Sequence, residues 1–313
     1  MKNNKDMRFS EIQRMTNHQG IEIDNIQFIS GGKTNESYLV RSTTGKRYLA
    51  RIAGSGTEQF IDREKEKYNV FVADQIGVAP KFLCSVDNNL LIEYIDGECS
   101  TGQEILYLDD NMDKLTRQLC TLHESSKPFK GEFSFIHDFH LYKKDYVSTG
   151  CTSPITLRNC EEELYTLVKW VDETYNKGTH PVHSDLVLQN CIFTKERAYI
   201  IDWEYSTMAD RYLDLASFCT QNILGAGTDK MFLKSYFKHA QENLDYGKFL
   251  LFKMSISFMW IYWHLNNVAH NKDTQYNEYR WRMHLNNAVV CKEEWENLLK
   301  APTKFNQSDS LLY

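Results

Sequence analysis

No stretch of the chain approaches the roughly 18 consecutive apolar residues that a membrane-spanning helix needs. The most apolar one, residues 249–265, is broken by Lys253, Ser255, Ser257 and His264. A membrane is therefore not expected as a partner. The first ten residues are charged and polar, unlike a secretory leader, so a cytoplasmic location is the expectation. Paired cysteines are missing too: the eight stand singly at 84, 99, 120, 151, 160, 191, 219 and 291, with no C-x-x-C and no zinc-type histidine spacing. That argues against a disulfide framework or a zinc site and leaves free, mostly buried thiols. Dense basic clusters are absent, and 36 Lys and Arg against 42 Asp and Glu leave a net charge of −6. Nucleic acid, whose phosphates demand a basic face, is not an expected partner; a cationic or neutral ligand fits better. Internal repeats and low-complexity tracts are lacking as well.

What is present is ordinary globular material, 42% hydrophobic and 25% charged, in 313 residues, enough for two modest domains or one large one. Between residues 21 and 95 short apolar runs alternate with turn residues. Residues 26–30, 37–41 and 47–53 read as strands, with Gly31-Gly32 and Thr44-Gly45 as turns. Residues 62–75 read as a helix with Tyr68, Phe71 and Val72 on its apolar side and Gly77 just past its end. Residues 89–94 form one more strand. Beyond Gly97 the period becomes helical: Met112, Leu115, Leu119 and Leu122 mark one helix, and Leu164, Leu167, Val171 and Tyr175 another, closed by Gly178. Two short strand-like pieces fall within 180–202. The class is α+β, with a small sheet-plus-helix lobe over 1–96, a linker near 96–100, and a larger helical lobe over 97–313.

The chemistry gathers at His183-Ser184-Asp185, then Asn190, then Ile200-Ile201-Asp202 at a strand end. Phosphoryl transfer needs a carboxylate to orient the attacking hydroxyl and accept its proton, and a metal between the β- and γ-phosphates. Asp185 suits the first role. Asn190 and Asp202 suit the second, because magnesium takes few protein oxygens beside phosphates and waters. Each residue alone would read as a turn former or a helix cap; the spacing is what makes them a set.

The runs H-S-D-L-V-L-Q-N (183–190) and I-I-D-W-E-Y-S (200–206) resemble the choline kinase branch of the aminoglycoside phosphotransferase and protein-kinase-like superfamily. The likeness runs in family order over about 29–281. It implies a protein-kinase-like two-lobed fold, ATP and Mg2+ as cofactors, and a small cationic amino alcohol as substrate. By resemblance Asp185 is the catalytic base, Asn190 and Asp202 hold magnesium, Asp214 braces the catalytic loop, and His183 fixes that loop. Gly31, Gly32, Thr34 and Asn35 would let backbone N–H groups approach the phosphates. Arg51 stands where such folds place the basic residue that grips them. Its acidic partner would be Glu66, chosen over Glu64 by its distance to Ala79-Pro80, while most charges of the run 62–67 would form a solvated face. Glu93 to Ile95 would be the hinge that binds adenine.

Choline carries a quaternary ammonium without N–H groups, so its site must rely on aromatic faces and perhaps a carboxylate. Trp260 and Trp263 lie three apart on an evident helix, and Tyr276 and Tyr279 repeat the spacing. Both pairs resemble the aromatic box of choline kinases, and Tyr205 matches a further wall. Aromatics at helical spacing also serve as plain core. Glu204 would face either the ammonium or a second metal. Leu188-Gln189 departs from the Pro-Glu common in relatives, and 207–212 from their Asp-Pro, which leaves Asp214 in place.

Ethanolamine, with its primary ammonium, would favour hydrogen-bond acceptors over a full cage. Aminoglycosides would call for a broad acidic groove, whereas the C-terminal third is rich in Trp and Tyr. A long activation segment and A-P-E are missing, which argues against a protein substrate. A pseudokinase, a binding module without transfer, is the reading from another class; Asp185, Asn190, Asp202 and Arg51 are all present and show no lost chemistry. Oligomeric state leaves no mark in the sequence.

Overall fold

Strand and turn signals in the first part of the chain build one antiparallel sheet. Its strands are β1 (Ile23–Gly31), β2 (Asn35–Ser42), β3 (Arg47–Ala53), β4 (Phe82–Val86) and β5 (Asn89–Glu93), in the order β1-β2-β3-β5-β4. Gly45 sits at φ +79° in the turn between β2 and β3, its N–H 2.9 Å from the Ser42 carbonyl, a backbone state glycine adopts without a Cβ clash. The computed structural model describes residues 4–31, 34–54, 61–175 and 177–300. Two compact units emerge, one from Met1–Gly131 with Leu188–Ser206, the other from Glu132–Val187 with Thr207–Tyr313.

The first unit holds two elements that the sequence pattern does not reveal, β4 and the helix α1 (Asn4–His18). Among the described side chains of α1 only Ile12, Met15 and Thr16 are fully buried, scattered among charges, so no stripe announces it. Ile12 and Met15 join Val40, Ala50, Ile52, Cys84 and Leu91 in one core cluster on the sheet. The helix expected over 62–75 is α2 (Arg63–Ile76), capped by Asp62, whose carboxylate accepts the Lys65 N–H, and ended by Gly77 at φ +87°. Its buried side differs from expectation. Tyr68 and Phe71 are 36% and 47% exposed, whereas Arg63, Glu66 and Asn69 are buried with Val70, Val72 and Ala73. A polar face turned inward implies a job for those groups, since burial without partners is costly. α3 (Asn111–His123) buries Met112, Leu115, Leu119 and Leu122 as its period requires. A hairpin of Cys191–Phe193 and Ala198–Ile200 completes the unit. The segment after β5 runs so close to it that a Cβ on Gly97 would stand 2.6 Å from the Phe193 carbonyl oxygen.

The second unit is helical: α4 (Phe135–Ser148), α5 (Ile155–Arg158), α6 (Glu161–Tyr175), α7 (Tyr212–Gln221), α8 (Ala226–Ala240), α9 (Tyr246–Ala269) and α10 (Thr274–Lys300). α9 is apolar almost all round and packs against α4, α6, α7 and α10, the placement such a helix needs. Phe139 stacks on Phe258 at 4.7 Å and meets the Tyr262 edge at 5.4 Å. Both lysines of α9 are matched, Lys248 by Asp210 and Lys253 by Asp229 of α8. On α6 the buried stripe is Leu164, Val168 and Val171, with Leu167 only half-buried. Among the described residues no helix is long and apolar enough to cross a membrane. The cysteines are free; Cys84, Cys120, Cys191, Cys219 and Cys291 are buried, Cys99 and Cys151 exposed.

Because Ile12 is wholly inside the sheet core, Ile12→Ala should lower stability by about 2–5 kcal/mol in denaturant unfolding. A loss under about 1 kcal/mol would show that α1 contributes little to that core.

Candidate active site

In the first unit the geometry centres on Arg51. β3 pairs it with Ser37 of β2 and Leu90 of β5, and its side chain is 11% exposed. One guanidinium nitrogen lies 3.6 Å from Glu66 Oε1, the other 2.5 Å from Asp202 Oδ1. Burial works against the charge of Arg51, but the two carboxylates outweigh it and raise its pKa above the ordinary arginine value. Glu64 lies elsewhere, exposed and paired with Lys67 at 2.6 Å. The charged run 62–67 is thus divided: Arg63 and Glu66 are buried, while Glu64 and Lys67 form the solvated pair.

The hairpin positions the acids. Its register pairs Cys191 with Ile200, and the Ile201 N–H donates to the Asn190 carbonyl at 2.9 Å, so Asn190 and Asp202 flank the same end. Asp202 does not close the strand as expected: the strand stops at Ile200, and Asp202 turns the chain at φ +68°, the left-handed region that Asp tolerates. The following residues are clamped. Trp203, 1% exposed, donates through Nε1 to the Ile200 carbonyl and meets the Phe129 ring edge-on at 5.6 Å. The Asn69 amide donates to the Ser206 carbonyl at 2.9 Å and hydroxyl at 3.1 Å.

Glu204 is buried, and its Oε2 accepts from the Thr34 hydroxyl at 2.9 Å and the Asn35 amide at 3.2 Å. Burial first, and then the Asp202 charge, push its pKa up to about 7, with the Thr34 bond and Arg51 opposing. Carboxylate oxygens of Glu66, Asp202 and Glu204 lie within 4.8 Å of one another. Like charges so close repel unless a cation joins them, and an all-oxygen set suits a hard divalent ion such as magnesium. Gly31 ends β1 opposite Glu36; Gly32 lies outside the described residues. Glu93 ends β5 with its N–H on the Lys81 carbonyl at 2.8 Å, and Ile95 follows two residues on. Tyr205 belongs to this unit and is 42% exposed.

The second unit carries the loop 183–185. Asp214, in the first turn of α7 and fully buried, accepts the His183 and Ser184 N–H groups at 2.8 Å each. Ser184 sits at φ +69° and His183 is completely inside, so the loop is held on both sides just ahead of the half-exposed Asp185. In α9 the rings of Trp260 and Trp263 meet edge-to-face at 5.2 Å, both half-buried, and Tyr142 of α4 lies nearly parallel to Trp260 at 6.4 Å. His264 links Trp263, at 4.8 Å, to Tyr276, at 6.2 Å. The Arg280 guanidinium covers Tyr276 at 5.7 Å. Tyr279 is 58% exposed.

The sequence reading missed several residues here. Arg63 and Asn69 stand among charges that look solvated, and only the three-residue spacing of Arg63, Glu66 and Asn69 hinted at one helix face. Tyr142 had no signal, because it meets Trp260 only through tertiary packing.

A family model described as choline/ethanolamine kinase matches residues 26–286. The chain is 31% identical over 185 residues to a LicA homolog of Metamycoplasma hominis, covering 58% of this chain and 71% of that protein. Among solved structures, choline kinase LicA from Streptococcus pneumoniae is similar with a TM-score of 0.70 at 24% identity, over 90% of this chain and 99% of that one. A LicA structure in complex with AMP is similar with a TM-score of 0.68, 24% identity and the same coverage of 90% and 99%. These structural likenesses are likenesses of fold, and the fold is the kinase-like one.

A raised carboxyl pKa means that ionisation opposes folding: stability is fullest below the unfolded value and falls as pH rises through about 7. Glu204→Gln should therefore raise the melting temperature at pH 8 in metal-free buffer by roughly 2–4 °C, and change it little near pH 5. A gain that is the same at both pH values would remove the Glu204 charge as its cause.

Proposed function

The chain belongs to the choline/ethanolamine kinase family, and we propose that it transfers the γ-phosphoryl group of ATP to the hydroxyl of choline, giving phosphocholine and ADP. The observation that carries the reading is the buried Arg51 guanidinium shared between Glu66 and Asp202. A charge so enclosed by acids is what a site needs to meet polyphosphate and metal together. Gly31, Thr34 and Asn35 would approach the phosphates, and Glu93 and Ile95 the adenine. Arg51 would grip the phosphates, and Asn190 and Asp202 would hold magnesium, which when bound would neutralise phosphate charge. The bonds of Glu204 to Thr34 and Asn35, and its closeness to Asp202, favour a part beside the metal over one at the ammonium.

Asp185 orients the substrate hydroxyl. As the hydroxyl oxygen bonds to the γ-phosphorus, the bond from that phosphorus to the β-bridging oxygen breaks and the hydroxyl proton passes to Asp185. Asp214 is a positioning residue: its two N–H bonds hold the loop that carries Asp185. For the ammonium, Trp260 and Trp263 offer crossed aromatic faces with Tyr142 alongside. Tyr276 is already covered by Arg280, and Tyr279 and Tyr205 are exposed.

Magnesium-dependent ADP release should be greatest with choline when choline, ethanolamine and aminoglycosides are compared at equal concentration. Preference for ethanolamine would keep the kinase and remove the cage. Asp185→Asn should reduce kcat by about 10²–10⁴ while ADP affinity stays within about twofold; lost affinity with retained turnover would sink that role. Trp263→Ala should raise the KM for choline roughly tenfold and leave that for ATP unchanged, and an unaltered choline KM would return both tryptophans to the core.

A further inference from the structure

Arg63 opens α2 within a run of charges, yet its side chain is 4% exposed. A cation withdrawn this far from water persists only where fixed acceptors meet its donors. Nη1 donates to Glu66 Oε2 at 2.7 Å and to Asn35 Oδ1 at 3.0 Å, and Nη2 donates to the Thr34 carbonyl at 3.0 Å. That carbonyl also accepts the Gly54 N–H at 2.8 Å. Arg63 therefore joins residues 34–35, at the turn into β2, to the acid that faces Arg51.

The same turn is held from its other side. Thr34 and Asn35 both donate to Glu204, and Glu204 follows Asp202 by two residues. Arg51 spans from Glu66 to Asp202. The contacts close a ring: the turn 34–35, Arg63, Glu66, Arg51, the acids 202–204, and the turn again. A displacement at one member of such a ring is felt at the next, whereas separate pairs could move alone.

We propose that Arg63 is a positioning residue that couples the phosphate-facing turn to the metal-holding acids, so that nucleotide and divalent cation each strengthen the binding of the other. The proposal rests on the kinase reading above. Nucleotide phosphates that settle the turn also settle Asn35 on Arg63, which keeps Glu66 facing Arg51. A cation that settles Asp202 and Glu204 acts back through Thr34 and Asn35, and the two effects must be equal. Lysine at 63 would keep the charge and one bond to Glu66. It lacks the planar fork that reaches Asn35 and Thr34 at once.

The test measures Mn2+ affinity of the full chain with and without saturating ADP, for wild type and Arg63→Lys. Association of metal and nucleotide in free solution is common to both proteins and cancels in the comparison. The factor by which ADP tightens metal binding should fall about tenfold in Arg63→Lys. A factor within twofold of wild type, even with both affinities weakened, would leave Arg63 a purely structural residue. Should Arg63→Lys fail to fold, Asn35→Ala carries the same test, since Arg63 then still keeps Glu66 and the Thr34 carbonyl; unchanged coupling in it overturns the proposal. ADP binding that is absent in wild type would instead bring down the kinase reading, and this proposal with it.

Discussion

The burial of one guanidinium constrains most of the first unit. Arg51 keeps its charge inside the protein only while Glu66 and Asp202 both stay in reach. Losing either removes one of the two acids that offset the burial of its charge, although such pairs add little to stability when whole. Three separate elements must therefore arrive together: β3 with Arg51, α2 with Glu66, and the hairpin end with Asp202. This requirement explains why α2 turns a polar face inward, and why Asn69 on that face is tied to Ser206 just beyond the acids.

The second unit meets its constraint differently. There an apolar pillar, α9, supplies rigidity by packing on four helices, and the polar work is done at its borders. Asp214 spends both carboxylate oxygens on two loop N–H groups, so the backbone ahead of Asp185 is set by hydrogen bonds and not by side-chain packing alone. Trp260 and Trp263 lie toward the end of the same helix, which places two crossed aromatic rings on one rigid element. Burial and the charge of Arg280 hold the pKa of His284 well below its usual value, so that ring packs on His264 in the neutral form.

Much of this was legible in advance, for reasons that differ from element to element. β1, β2, β3 and β5 follow short apolar runs between turn residues, and α3 follows a clean stripe. Asp185, Asn190 and Asp202 stood out as a set by their spacing along the chain, and of these Asn190 and Asp202 flank one end of the hairpin. α1 stayed hidden because few of its residues are apolar, and its burial depends on a sheet made by later strands. The inward face of α2 was misassigned because periodicity weighs Tyr68 and Phe71 as apolar and cannot see that Arg63 and Glu66 satisfy each other.

Sequence alone determined what can be read locally: the turn at Gly45, the helix end at Gly77, the helical periods, and the order of the chemical groups. These depend on neighbours a few residues away, where backbone sterics and hydrogen bonds act. Tertiary structure alone decided which side chains meet: Arg63 with Asn35, Thr34 with Glu204, Arg51 with Asp202, Tyr142 with Trp260. Those pairs join residues 28, 170, 151 and 118 positions apart. Whether such a charge is solvated or enclosed depends on the water that distant segments exclude, and no local pattern records that.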